Sequence, residues 1–325
     1  MSKRRDVQSV ILAAVAGLAL LPVWGCANRQ QAVALYVDAV ELRELNDNDK
    51  AIDKLNQAAK ADERFSLAHS LLGEIYEQKQ EYKKSAAAYV AATRLNPWSF
   101  RDYFSLGRVY QTMKEFTQAV KAYRRACELK PNNFEANLKT AQCLYEVNDY
   151  NQAIVYSKRA EKIDGNAEEL HQLLGNIYDS QKNYEQAVRS YKRALEMDSN
   201  NPEVMISLAM AYLRTKRIEP AKELFTVVTQ MQPANSSAYQ YIGYCYLQLN
   251  DVNQAIYNYR QAIKINSYDW EAYRGLGVAY MTKAKAENDA ELKAQAVELW
   301  RQSLSIKPDQ PRQDRLIKLI EKYSK

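Results

Sequence analysis

A spacing of 34 residues governs this chain. From Gly107, steps of 34 land on Ala39, Gly73, Ala141, Gly175, Ala209, Gly243 and Gly277. Three residues further on the same ruler finds Tyr76, Tyr110, Tyr178, Tyr212, Tyr246 and Tyr280, with Leu42 and Leu144 as the exceptions. Twelve residues past the landmark it finds Ala51, Ala119, Ala153, Ala187, Ala221 and Ala255. Self-similarity at this period belongs to stacked solenoids and outranks any element-by-element reading. A solenoid grows by copies rather than by domains, so 325 residues need not imply two folded bodies.

Within one copy, Phe100 to Asn133, two apolar stripes occur at helical spacing: Tyr103, Leu106, Gly107 and Tyr110, then Ala119, Tyr123 and Ala126. Pro131, Asn132 and Asn133 end the second helix and open the next copy. Glycine inside a helix costs up to about 1 kcal/mol against alanine, so its return once per copy implies a close approach of two helices. The chain is expected to be all-α, with Gly or Ala forming notches between paired helices.

The small residue, aromatic, alanine, aromatic, alanine and proline marks (Gly107, Tyr110, Ala119, Tyr123, Ala126, Pro131) resemble the tetratricopeptide-repeat family. Eight units fill residues 32–310. The eighth carries seven extra residues around Lys283 to Asp289, enough for one more turn on each helix, with Asn288-Asp289 as the loop. The fourth unit departs most, with Ala141, Leu144 and Ser157; Tyr156 is the candidate to replace the missing aromatic. Residues 311–325 are read as a capping helix with an apolar stripe of Leu316, Ile317, Leu319, Ile320 and Tyr323. The resemblance implies a right-handed superhelix whose concave groove is lined by the first helix of each pair.

Residues 1–25 read as an export signal: Lys3, Arg4 and Arg5, then an apolar run from Val10 to Leu21 that is too short to span a bilayer. Val23-Trp24-Gly25-Cys26 resembles a bacterial lipobox, which implies a lipid on Cys26. Ala27 in turn resembles the residue that lets such proteins travel to the outer membrane. Residues 26–31 would form a short tether, and five residues reach at most about 18 Å. The net charge of +6 includes +2 from residues 3–6, which leaves too little to argue for nucleic acid.

No catalytic constellation is present, and no cofactor, metal or small-molecule substrate is expected. Gly275-Leu276-Gly277 has no preceding strand, so it does not form a dinucleotide motif. His69 and His171 share the slot of Tyr103, Tyr239 and Tyr273 and read as core aromatics. Cys143 and Cys245 share a slot with Ile75, Val109 and Ile177 and read as buried apolar residues. A Cys127–Cys143 disulfide is conceivable, but free thiols are favoured.

The groove-lining slots are the second, fifth, ninth, twelfth and thirteenth of each unit. They give Arg101, Phe104 and Arg108; Glu135, Leu138, Gln142 and Tyr145; Glu169, Gln172, Asn176 and Asp179; Glu203, Ile206 and Met210; and Tyr244. Glu135, Glu169 and Glu203 recur at one slot. They read either as an acidic row for a basic segment of a partner or as ordinary first-turn acids that favour the helix dipole. The Lys and Asn pair of the family's carboxylate-binding branch is absent from the fifth and ninth slots. On the opposite side Arg124-Arg125, Lys158-Arg159 and Lys192-Arg193 stack as a basic ridge, read as a solvated face or as a contact for anionic lipid or glycan. Glu128 and Glu196 are expected to pair with Arg124 and Lys192 four residues earlier. Trp98 is a large aromatic outside any packing slot, either a contact point or tucked under Phe100. The expected function is an envelope scaffold that holds segments of other envelope proteins near a membrane. A periplasmic holder of extended chains is the alternative.

Overall fold

The computed structural model describes residues 23–324, and within them seventeen α-helices and no strand. In chain order they are α1 Val23–Glu44, α2 Asn48–Ala61, α3 Ser66–Gln78, α4 Tyr82–Leu95, α5 Phe100–Thr112, α6 Phe116–Leu129, α7 Phe134–Glu146, α8 Tyr150–Ile163, α9 Glu168–Ser180, α10 Tyr184–Met197, α11 Pro202–Arg214, α12 Ile218–Met231, α13 Ser236–Gln248, α14 Val252–Ile265, α15 Trp270–Glu287, α16 Ala290–Ile306 and α17 Gln313–Tyr323. Consecutive pairs form eight hairpins, and α17 follows the last. The chain divides into two compact units at Ile163/Asp164, so α1–α8 form one and α9–α17 the other. Within each unit every helix packs on the next, and α1 also touches α3, α9 touches α11 and α13 touches α15.

The hairpins close on the notches. A Cβ built on Gly73 would meet the Tyr89 ring at 2.8 Å; on Gly107, Tyr123 at 2.6 Å; on Gly175, Tyr191 at 2.4 Å; and on Gly243, Tyr259 at 3.0 Å. In each case the aromatic residue stands sixteen positions after the glycine. The longer eighth hairpin sets Trp300 against Gly277 at 2.5 Å. Where the notch is alanine, the residue sixteen positions on is smaller or lacks the hydroxyl: Leu55 for Ala39, Ser157 for Ala141 and Phe225 for Ala209. All three are fully buried. The phenol ring needs the whole space that a missing Cβ leaves, so a notch and its partner must change together. Gly275 works the same way from the next hairpin: a Cβ there would meet Tyr259 at 2.4 Å, so Tyr259 is held between two glycines.

The first helices of the first seven hairpins end in one motif. Asn46, Gln80, Lys114, Asn148, Lys182, Lys216 and Asn250 have φ between 60° and 63°. The residue after each donates its N–H to the carbonyl five positions back, as in Glu81 to Tyr76 at 2.8 Å and Arg217 to Tyr212 at 2.8 Å. This is the Schellman closure, here without glycine at its left-handed position. The eighth hairpin closes in the same way through Asn288 (φ 52°), Asp289 donating its N–H to the Ala284 carbonyl at 2.9 Å, and the Asp289 side chain then caps α16 by accepting from the backbone N–H groups of Glu291 and Leu292.

Several expectations need correction. The signal reading of residues 1–22 lies outside the described residues. Residues 26–31 are part of α1 rather than an extended tether, so at 1.5 Å per residue five of them span only about 7.5 Å. Tyr156 does not fill the notch left by Ser157; it packs against Ala126, Cys127 and Ala136, under the guanidinium groups of Arg124 and Arg159. On α17, Leu316 is buried, with Leu319, Ile320 and Tyr323 against the core, but Ile317 faces solvent at 39% exposure. The cysteines, by contrast, are as expected: Cys127, Cys143 and Cys245 are buried free thiols.

Candidate functional site

The first unit holds a cleft of about 560 Å³ between the first helices α1, α3 and α5, lined by Arg43, Glu74, Glu77, Gln78, Phe100, Arg101, Phe104, Ser105 and Arg108. Helical spacing sets this lining. Glu74 and Glu77 lie three apart on α3, and Arg101, Phe104 and Arg108 repeat at three and four on α5, so each set faces one way. Phe104 forms part of the floor, stacked on Phe100 (centroids 5.6 Å apart) and edge-on to Tyr123 (5.4 Å).

Charge is arranged as a ladder. Glu74 accepts from Arg43 at 3.1 Å and from Arg101 at 2.5 Å, one arginine on each side. Glu77 takes Arg108 in a two-pronged pair, Nε to Oε1 at 2.7 Å and the terminal nitrogen to Oε2 at 3.0 Å. That pair holds the Arg108 guanidinium even more firmly protonated than usual. Burial, and after it the nearby Glu74 carboxylate, pushes the Tyr36 phenol up. Three arginines face two glutamates, so the cleft carries a net positive charge. Arg101 stays largely exposed while holding Glu74. Its guanidinium therefore retains donors that can meet a carboxylate or a carbonyl of an incoming chain.

The second unit repeats the arrangement more sparsely. Arg214 of α11 lies 3.7 Å from Asp179 of α9 and over the Tyr184 ring at 5.2 Å. The Tyr191 hydroxyl donates to Asn176 Oδ1 at 2.8 Å. Gln172, Ile206 and Met210 are half-buried and Tyr244 is exposed, all on first helices. Glu169 and Glu203 are exposed in the first turns of α9 and α11. The neighbouring Glu168 is bonded by Asn201 at 3.1 Å, and burial raises its pKa above the usual carboxylate range.

Among the residues read from sequence, Arg101, Phe104 and Arg108 come together in the cleft. Glu135 is exposed on α7, and Gln142 and Tyr145 are half-buried there. Leu138 is corrected: at 2% exposure it is core and cannot line a groove. It occupies the slot of Phe104, which lies on Tyr123; in the fourth hairpin that ring is replaced by Ser157, and the leucine is buried instead. Arg43, Glu74, Glu77 and Gln78 were missed, although all four occupy the ninth, twelfth or thirteenth slots and the slot rule would have found them. His171 is buried, its Nε2 2.8 Å from the Gly165 carbonyl oxygen. His69 is half-buried, and desolvation lowers its pKa.

On the other face, Glu128 and Glu196 pair with Arg125 and Arg193 at 2.7 and 2.8 Å, three residues away, and not with Arg124 and Lys192. Trp98 is 76% exposed, with the Arg125 guanidinium 5.5 Å from its ring, so it does not tuck under Phe100. Among the described residues no helix is long and apolar enough to cross a membrane.

Hairpins with notches at one period and an exposed row of first helices define a helical-repeat scaffold, a class that typically mediates protein–protein interaction and not catalysis. The chain is a tetratricopeptide-repeat protein. Family models match three stretches: a tetratricopeptide repeat over residues 36–97, the anaphase-promoting complex subunit 3 model over 113–194, and the tetratricopeptide domain of cytochrome c-type biogenesis protein H over 161–271. The C-terminal part of a repeat-containing protein from Cytophaga hutchinsonii is similar, with TM-score 0.61 at 15% identity, covering 75% of this chain and 98% of that one. YrrB, described as a tetratricopeptide-repeat protein with an unusual peptide-binding site, gives 0.53 at 18%, covering 63% and 98%. PilF of Pseudomonas aeruginosa gives 0.51 at 21%, covering 65% and 96%. At these identities the likeness concerns the fold alone. No curated protein matches the chain.

Proposed function

We propose that this protein is a bacterial envelope scaffold, anchored by a lipid on Cys26, that docks segments of partner proteins on its first-helix faces. The alternation of charge around an aromatic floor in the α1–α3–α5 cleft is the observation that carries the reading. Arg43, Arg101 and Arg108 supply donors, Glu74 and Glu77 fix their geometry, and Phe104 offers an apolar foothold. The peptide-binding site named for YrrB, a protein of the same fold, agrees with such a role. The net positive cleft suits an acidic stretch or a chain carboxylate. A basic segment is better met in the second unit, where Glu169 and Glu203 are exposed on consecutive first helices. Outer-membrane placement follows from the lipobox resemblance and Ala27, and remains part of this proposal.

Affinity capture with the lipidated protein in its own envelope tests the reading. One partner held stoichiometrically, and lost when Arg101→Glu and Phe104→Ala are combined, is the expected result. A set of many weakly held clients would instead favour the chain-holder. Capture that is indifferent to both the cleft variant and a Glu169→Lys/Glu203→Lys variant would overturn the docking assignment.

A further inference from the structure

Charge in the first unit is divided between the two helices of its second, third and fourth hairpins, whereas α2 of the first holds three Lys against two Asp. The second helices α4, α6 and α8 hold nine Lys or Arg against two Glu. Their partners α3, α5 and α7 hold three against five Asp or Glu. The second helices of the other unit, α10, α12, α14 and α16, hold eight against six, so this is no general property of the repeat.

The excess is presented to solvent. On α4 the exposed residues Lys83, Ala87, Val90 and Arg94 recur at i, i+4, i+7 and i+11, which is one helix face. The 34-residue offset brings Lys121 to the slot of Ala87 and Lys158 to the slot of Val90. Lys162 falls at the slot of Arg94, and all three are exposed. Lys83, Arg94, Lys121, Lys158 and Lys162 form no ion pair among the described residues. Two exposed aliphatics lie among them, Val90 at 44% and Val155 at 41%, and Trp98 projects from the α4–α5 junction at 76% exposure.

We infer that the outer face of α4, α6 and α8 docks peripherally on an anionic lipid surface, with Trp98 at the headgroup level. The charges are separate point charges on long flexible stems, and of the five Lys162 lies at the rim of an open cavity of about 510 Å³ that Cys127, Arg159 and Ile163 also line. A bilayer supplies mobile headgroups that rearrange under such an array, whereas a folded acidic protein must present carboxylates in fixed register. Isolated valines and one exposed indole suit shallow contact with the headgroup boundary. Basic residues near an anionic leaflet each add about fivefold in affinity, and the effect fades beyond a Debye length. The inference does not require a lipid on Cys26.

The test uses the full chain carrying Cys26→Ser, so that no acyl chain holds it. Binding is compared between phosphatidylcholine vesicles and the same vesicles doped with phosphatidylglycerol. The N-terminal apolar run is common to every variant, so the ratio of the two affinities isolates the face. Reversal of Lys83, Arg94, Lys121, Lys158 and Lys162 to Glu is expected to lower that ratio at least about a hundredfold. The control reverses five exposed cations of the second unit, Lys182, Lys192, Lys216, Lys264 and Arg315, with the same change in net charge, and is expected to keep most of the preference. Trp98→Ala is expected to weaken binding to doped vesicles while helical content is unchanged. Equal losses in the two reversals, or no preference for doped vesicles in the parent, would overturn the inference. So would tighter binding to soluble polyglutamate than to vesicles of matched charge, which would assign the face to an acidic protein.

Discussion

The Tyr191 ring lies across Gly175 so closely that a methyl group added there would fall 2.4 Å from Cε1. The ring is 3% exposed, and its hydroxyl is held by Asn176 at 2.8 Å, so it has little freedom to withdraw. Gly175→Ala should therefore destabilise the second unit by about 1–3 kcal/mol, despite the better helix propensity of alanine. Pairing it with Tyr191→Phe, which copies the Ala209–Phe225 combination, should recover part of the loss. Urea unfolding of the single and double variants reads this coupling, and strict additivity would show that the two positions do not share one space.

The fourth hairpin offers the opposite experiment. Ser157 is fully buried and its hydroxyl has no hydrogen-bond partner. Removing an unsatisfied buried hydroxyl returns its desolvation cost, so Ser157→Ala should raise stability by about 1 kcal/mol. A fall in the unfolding midpoint would mean that the hydroxyl is satisfied in solution.

The left-handed helix ends give a third prediction. A non-glycine residue at positive φ costs about 1 kcal/mol or more. Lys114→Gly or Lys216→Gly should therefore stabilise by roughly 0.5–1 kcal/mol, after the larger backbone entropy of glycine in the unfolded chain is subtracted. Thermal melts of these variants, with the exposed non-loop substitution Lys121→Gln as control, would register the gain as a higher midpoint.

Two thiols set a pH dependence. Burial pushes the Cys143 and Cys245 thiols up to about 12 from the ordinary 9. A group whose pKa is higher folded than unfolded lends stability below the unfolded value and withdraws it as pH rises toward the folded one. Stability should then fall from pH 9 to 12, by up to about 1.4 kcal/mol per pH unit for each thiol. The double variant Cys143→Ala/Cys245→Ala should show a shallower fall over the same window. Thiol reagents at pH 8 should modify both residues only as fast as the fold opens.

The repeat, its two helices and the notch were legible because each of them recurs: eight copies of a small residue at one spacing leave no competing account of Gly107. The lengthened eighth hairpin was legible for a similar reason, since seven residues are two helical turns. Helix closure at Gln80 and Lys114 was not, because the left-handed position carries no glycine to betray it. Leu138 was misplaced because a slot rule assigns direction without knowing what lies beneath. There the ring that supports Phe104 is replaced by Ser157. Glu74 and Glu77 were overlooked because each looks like any exposed helical acid until Arg43, Arg101 and Arg108 are set around it by folding.

The matching of Gly with Tyr or Trp, and of Ala with Leu, Ser or Phe, decides how this chain can be cut and rejoined. A whole 34-residue cassette, severed at a junction such as Pro97 or Pro131, carries its own matched pair and can be duplicated or deleted intact. A graft that splits a hairpin would bring Ala209 under a tyrosine or leave Gly107 facing a serine, one overfilled and the other hollow. Recombination and library design on this scaffold should therefore respect the loops between hairpins and leave the turns within them alone.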